Sequence, residues 1–465
     1  MGEYLMTHKF YARMLLIAFA FVFSGCGQQE SGSTPSETAQ TNETTAEGTM
    51  SSDEDGQFIP VLSYRTGAYG PNGSSVANGF VDYLKIINAR DGGINGVKIL
   101  YEECETGYST SRSVECYERL KAKGPTGAAV FNPLSTGATF ALTEKAPVDK
   151  IPLITMGYGR SESRDGGVFP WNFPIYGTYW TAADVLMTHI GNINDGLSNL
   201  SGKKIALVYH DSPFGKEPIP LLQKRSEMHG FDLVKIPVTH PGVEQKSAWI
   251  TVRKEQPDYV ILWGWGVMNA TAIKEAAGVR YPREQIYGVW WSGSEPDVRP
   301  AGDSAIGYQA VAMISNGKAR VHQDILTYLY ENGEGMGETE GVGEVLYNVG
   351  MLNAALVVES IREAQTKYGQ KPLTGEQVRW GIENLEVTDE DIENLGLTGY
   401  MYPVKLSCSD HEGKQTARLH RWNGKTWEYS TDWISADNNV IAPMVEEAAT
   451  NYASEKGLER GTCDS

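Results

Sequence analysis

The stretch IPVLSYRTGAYGPNGSSVANGFVDYLKIINAR, Ile59–Arg90, holds the pattern that decides the fold. It opens on a short apolar run, passes through a loop rich in Gly, Pro, Asn and Ser, and continues as a helical segment from Val76. A buried strand, a turn and a helix make one βα unit, and repeated units build parallel sheets. The same order recurs. GVKILYEE precedes TSRSVECYERLKAK, GAAVFN precedes TGATFALTEKA, and IPLITM follows. A second series starts after VFPWNFP, with the strands KIALVYH, FDLVKIPV, YVILWGW and IYGVWW alternating with helices such as TYWTAADVLMTHIGNI and NATAIKEAAG. The unit is run twice, so two α/β lobes are expected. After the strand YQAVAMI come two longer helices, within EVLYNVGMLNAALVVESIREAQ and TGEQVRWGIENL. The late stretch ARLHRWNGKTWEYS reads as a hairpin turning at Asn423-Gly424.

The N-terminus carries export chemistry. Lys9 and Arg13 precede the apolar run Met14–Phe23, which is too short to span a bilayer, and small residues follow. Phe23, Ser24, Gly25 and Cys26 resemble a bacterial lipobox, which implies a signal peptide over 1–25 and lipidation of Cys26. Residues 26–57 are almost entirely polar and cannot bury enough surface to offset their ordering entropy, so they read as a disordered tether. Of five cysteines, the four besides Cys26 are Cys104, Cys116, Cys408 and Cys463. An even number in an exported chain suggests disulfides. Three pairings are possible; the positions favour Cys104 with Cys116 and Cys408 with Cys463. The formal net charge of -18 lacks the basic face that nucleic acid requires.

A lipobox, a polar tether and two βα lobes resemble the substrate-binding protein of a bacterial ABC importer. More narrowly, SYRTGAYGPNG, NARDGGINGVKILYEEC, VYHDSPFGK and CSDHEGK look like the leucine/isoleucine/valine-binding branch. The resemblance implies the type I periplasmic-binding-protein fold: two Rossmann-like lobes with parallel-rich sheets, joined by a three-strand hinge. It places crossings near Phe173–Tyr176, Gly307–Ala310 and Tyr402–Lys405. Lobe 1 would be 58–174 plus 309–403, lobe 2 would be 175–308 plus 404–440, and 441–465 a C-terminal helix and tail. A small-molecule ligand would lie between the lobes, at the C-terminal ends of the strands. It would pass to permease subunits in the inner membrane, with the protein acting as a monomer held to the membrane by its lipid alone. No cofactor and no metal are expected. The same lobes would also suit a ligand-sensing receptor subunit. An enzyme is disfavoured, since no GxSxG elbow, phosphate-binding loop or zinc motif occurs, and neighbouring side chains in HDSPFG point apart rather than forming a triad.

The resemblance also assigns residues. Ser135 and Thr136 stand at a helix N-terminus, where free N–H groups hold a ligand's carboxylate. Tyr69 matches a ligand-facing tyrosine in the first loop, and Tyr158 sits where the family contacts an amino acid's ammonium. The usual lobe-2 aspartate is missing from YGTYWTAAD: Thr178, Tyr179 and Trp180 stand there, and Asp184 comes one turn late. Glu295 could substitute. Aromatic residues are in surplus. In ILWGWG, Ile261–Gly266, alternation puts Trp263 and Trp265 on one side of a strand, and the glycines would leave room for a ligand. Tyr176, Tyr179, Phe214, Trp290 and Trp291 lie on other loops that could meet there, with Trp265 and Tyr179 furthest toward the cleft. Together these argue for either a branched-chain amino acid or an apolar or aromatic carboxylate.

Overall fold

The structure is a computed structural model describing residues 55–463; the signal-peptide, Cys26 and most of the tether assignments lie outside them. β1 (Gln57–Ser63) is buried throughout and pairs in parallel with β2 (Ile99–Glu105) over seven residues. Gln57 thus belongs to the sheet and not to the tether, and its amide exchanges hydrogen bonds with the backbone of Leu373. On the other side of β1, Ala129 N–H donates to Phe58 O, and Ile154 N–H donates to Phe131 O. These bonds carry the lobe through the irregular segment 128–131 to β3 (Leu153–Ile154), which pairs in parallel with β4 (Asn172–Phe173). GAAVFN was expected as a strand; only Phe131 makes a ladder bridge, to Leu153.

The second lobe is one eight-stranded sheet. β5 (Lys204–His210) lies between β6 (Asp232–Val238) and β7 (Tyr259–Trp263); β8 (Ile286–Gly288) and β9 (Gln309–Ala312) follow, all parallel. In lobe 1, β10 (Glu386–Val387) pairs with β11 (Val404–Lys405). The large sheet then adds β12 (Thr416–Trp422), antiparallel to β9, with the hairpin partner β13 (Trp427–Tyr429) and the short β14 (Ile434–Ser435) on β12. Two expected boundaries therefore move. β9 bonds to lobe-2 strands on both sides, so the second crossing comes after Ala312 and not at Gly307–Ala310. β11 still bonds to a lobe-1 strand, so the third comes between Lys405 and Thr416. A strand follows its hydrogen bonds, and those were invisible in the one-dimensional pattern.

The first lobe is built on two long helices, Gly70–Asp91 and Val345–Tyr368. They cross at Gly79 and Gly350. A Cβ on Gly79 would sit 1.9 Å from Tyr347 O, and one on Gly350 1.9 Å from Val76 O. Only glycine lets the two backbones touch there.

The hinge is laced by polar and stacked contacts. Tyr176, at φ +74°, accepts Tyr402 N–H at its hydroxyl at 2.8 Å while the two rings stack at 3.9 Å. Glu412, in CSDHEGK, accepts from Thr178 N–H and the Thr181 hydroxyl, and His411 stacks on Phe173 at 4.0 Å. The helix Asn438–Lys456 then returns to lobe 1, packing Ala449, Tyr452 and Ala453 on Val168 and Phe169.

Both favoured disulfides are present. Cys104 joins Cys116, tying β2 to the next helix, and Cys408 joins Cys463, pinning the C-terminal tail to the hinge. The second closes the longer loop, 55 residues against 12. Replacing Cys408 and Cys463 together with Ser should cost about 2–4 kcal/mol in denaturant unfolding, and replacing the other pair less, because the longer loop gains more freedom in the unfolded chain. The reverse order would show that native strain or residual structure, not loop closure, governs these bridges.

Candidate functional site

Between the lobes, a narrow cavity of about 20 Å³ is lined by Tyr64, Val76, Tyr108, Leu134, Ser135, Thr136 and Tyr158 from lobe 1, and by Tyr179, Phe214, Trp265 and Trp291 from lobe 2. That is on the order of what one water needs, so the closed lobes leave little free volume between these side chains. Local structure explains the placement. Strands β1, β5 and β7 end at it, as does the 128–131 segment, and the helix Thr136–Leu142 begins at its wall. Trp265 and Trp291 meet edge to face at 5.4 Å, and Tyr64 meets Trp265 at 6.3 Å in the same manner. Edge-to-face contact sets a positive ring edge on a negative ring face.

The lobes are closed on this space. Trp290 and Trp291 of lobe 2 both donate their indole N–H to one lobe-1 carbonyl, Gly157 O, at 2.8 and 2.9 Å. The Tyr179 hydroxyl and Thr136 Oγ1 are 3.2 Å apart across the gap. Ser161 donates its N–H and hydroxyl to Glu217, and Asn72 donates to Asp297 at 3.0 Å.

Of the sequence-predicted residues, Ser135, Thr136, Tyr158, Tyr179, Phe214 and Trp265 are brought together at this wall; Tyr69 and Glu295 are not. Tyr69 stands beside the lining residue Tyr108. Its ring lies 4.3 Å from Tyr108, and its hydroxyl is 2.8 Å from His210 Nε2. It also takes the room the ILWGWG glycines were expected to leave for a ligand. Gly266 has φ +65°, and a Cβ there would lie 2.6 Å from the Tyr69 ring, while one on Gly264 would meet Asn269 Oδ1. Tyr158 holds its hydroxyl between Asn132 Oδ1 and Leu134 N–H, so it is already partnered. Ser135 caps its helix by accepting from Ala138 N–H.

Glu295 serves another end. Its carboxylate accepts Val345 N–H at 3.0 Å, capping the long lobe-1 helix from lobe 2. Burial, with the Glu344 charge nearby, pushes its pKa up to about 7. A raised folded-state pKa makes folding take up a proton, so this group favours the folded state increasingly as pH falls from about 7 toward its ordinary value, and opposes it above 7. Glu295→Gln keeps an acceptor without the charge. It should raise the melting temperature at pH 8 and lose that advantage by about pH 4.5, the gap narrowing at up to about 1.4 kcal/mol per pH unit. A gap that does not change with pH would remove the titration from the account.

Asp184 is turned from the cavity. It pairs with Arg225 at 2.6 Å and accepts Asp437 N–H at 2.7 Å, both side chains fully buried. The HDSPFG loop is no triad, though not because its side chains diverge. His210 Nδ1 is 2.7 Å from Ser212 Oγ, but Nε2 is taken by Tyr69 and Asp211 pairs with Lys216 at 2.8 Å. Burial and the stacked His240 push the His210 pKa down to about 3. Trp263 is fully buried behind Tyr179, and Trp290 lies under Gly177.

Sequence reasoning did not select Tyr64, Val76, Tyr108 or Leu134, and it left Trp291 in the general pool of rings. Trp290 and Trp291 share one helical turn, where strand alternation gives no guide. Tyr64, at the end of β1, was open to the same strand-end argument as Trp265. Among the described residues no cluster of His, Cys, Asp or Glu is placed to hold a metal ion, and no helix is long and apolar enough to cross a membrane.

A family model described as periplasmic binding protein matches residues 56–426. The chain belongs to that family: it is a solute-binding protein of the type I fold. A solved protein from the Pseudomonas fluorescens group, described as an ABC transporter permease, is 43% identical to it, with a TM-score of 0.82 over 88% of this chain and 100% of that one. A branched-chain amino acid ABC transporter protein from Thermus thermophilus, solved with valine, shares the fold at 21% identity and TM-score 0.68, over 84% and 99% of the two chains. A Rhodopseudomonas palustris solute-binding protein in complex with benzoate does so at 16% identity and TM-score 0.63, over 82% and 98%. No curated protein is significantly similar.

Proposed function

We propose that this protein is the extracytoplasmic solute receptor of an ABC importer, anchored through lipid on Cys26, and that it encloses a small solute with an apolar or aromatic body for delivery to permease subunits. The observation that carries the reading is the lining: aromatic, aliphatic and hydroxyl side chains from both lobes, with no carboxylate, lysine, arginine or histidine among them. A zwitterionic amino acid would bring an ammonium to a wall with no acid to meet it, and a buried unpaired charge is costly. Benzoate in one structural neighbour and valine in another mark the two chemistries to be separated.

Titration calorimetry with valine, leucine and benzoate tests this. Benzoate should bind and the amino acids should not; micromolar binding of leucine with benzoate silent would restore the amino-acid reading. Anchoring is tested separately. Cys26→Ser should release the protein from washed membranes into the soluble fraction, and retention without detergent would count against lipidation.

A further inference from the structure

We infer that Trp265 determines specificity in this cavity: its indole N–H donates to an acceptor oxygen of the bound solute, in a wall that accepts a carboxylate or carbonyl on an apolar body and rejects an amine. The inference deepens the solute-binding reading above and rests on it.

Trp265 is 3% exposed and lines the cavity, yet its Nε1 has no hydrogen-bond partner. Buried polar groups are nearly always paired in the working state of a protein, because an unpaired donor forfeits its hydration. No ring neighbour of Trp265 accepts from it with hydrogen-bond geometry. Tyr64 and Trp291 both meet it edge to face. Burial holds the Tyr64 hydroxyl protonated, its pKa well above the ordinary value, and although that hydroxyl stands near the indole the two make no hydrogen bond of good geometry. An acceptor entering the cavity would complete the N–H.

The surroundings carry the same sign. Trp263 Nε1, behind Tyr179, is also without a partner, and so is Asn132 Nδ2, whose Oδ1 takes the Tyr158 hydroxyl. All three groups are donors. The nearby buried carboxylates are spent: Asp184 on Arg225, Asp297 on Asn72 and Asn269, Glu295 on Val345 N–H; Asn269 Oδ1, an acceptor without a partner, faces Gly264. A cavity lined by an unpartnered indole N–H and by no carboxylate suits an acceptor-bearing solute. An ammonium would find only ring faces and hydroxyls, which replace part of its hydration. A carboxylate would rest on N–H and O–H donors rather than on a cation.

The test compares solutes matched in shape and opposed in charge: benzoate against benzylamine, and 3-methylbutanoate against 3-methylbutylamine, with benzamide as a neutral acceptor. Calorimetry on the full chain should show binding of the acids and amide and none of the amines. Trp265→Phe keeps a ring and removes the N–H; it should weaken acid binding about tenfold or more, as loss of a hydrogen bond to a charged group does. In the wild-type protein, which needs no variant to fold, the Trp265 indole ¹H–¹⁵N resonance should move on adding benzoate and stay still with benzylamine. Acids that bind equally well to Trp265→Phe, with the resonance unmoved, would overturn the donor role and leave the solute-binding reading standing. Amines or valine that bind while the acids do not would overturn the inference and the proposed solute class together. Silence from every probe would do the same, with membership of the family untouched.

Discussion

Trp265→Ala should weaken binding of the natural solute by at least about thirty-fold. Trp265 lies where the two lobes and the cavity meet, touching Tyr64 of lobe 1 and Trp291 of lobe 2 edge-on. Truncating a central, desolvated aromatic anchor commonly costs 2 kcal/mol or more in binding. The lobes should survive the change. Trp265 stands past the end of β7, while the strand's inward residues, Val260 to Trp263, remain in place. Calorimetry gives the affinity, and the circular dichroism spectrum checks the fold. Unchanged affinity for a ligand that does bind would make Trp265 a packing residue and nothing more.

Asp184→Ala should be the most damaging single substitution for stability, by about 3–5 kcal/mol, since it strands the Arg225 guanidinium in the interior. Arg225 is 2% exposed along its side chain; its other acid, Asp437, stands 3.5 Å away and is 40% exposed. Asp184 also anchors the C-terminal helix through Asp437 N–H, so loosening should spread to that helix. Replacing both partners by apolar residues, Asp184→Leu with Arg225→Met, should recover most of the loss, because the cost lies in the unpaired charge and not in the absent bridge. Denaturant unfolding measures both. A double variant as unstable as the single one would assign the effect to packing.

The cavity and the residues around it show how far one-dimensional reasoning reaches. Ser135, Thr136, Tyr158, Tyr179, Phe214 and Trp265 could be picked out because each stands where a strand ends or a helix begins, and open α/β sheets present ligands with those ends. Tyr69 satisfies the same rule and yet bonds to His210, because a residue's direction depends on what closes against it. Glu295 was named for its charge, but it caps a helix that begins fifty residues later in the chain. No local pattern announces such a partner.

What the sequence determined by itself was the class of fold: alternating buried strands and helices, run twice, leave parallel sheets in two lobes as the arrangement that buries every apolar run. It also favoured, among three possible pairings, the two bridges the structure contains. Only the tertiary structure decided where the lobes exchange strands, because β9 and β11 are assigned by hydrogen bonds to segments far along the chain. It alone decided the polarity of the cavity. Whether a buried carboxylate is free for a ligand depends on which donors reach it across the closed lobes, and Asp184, Glu295 and Asp297 are all taken.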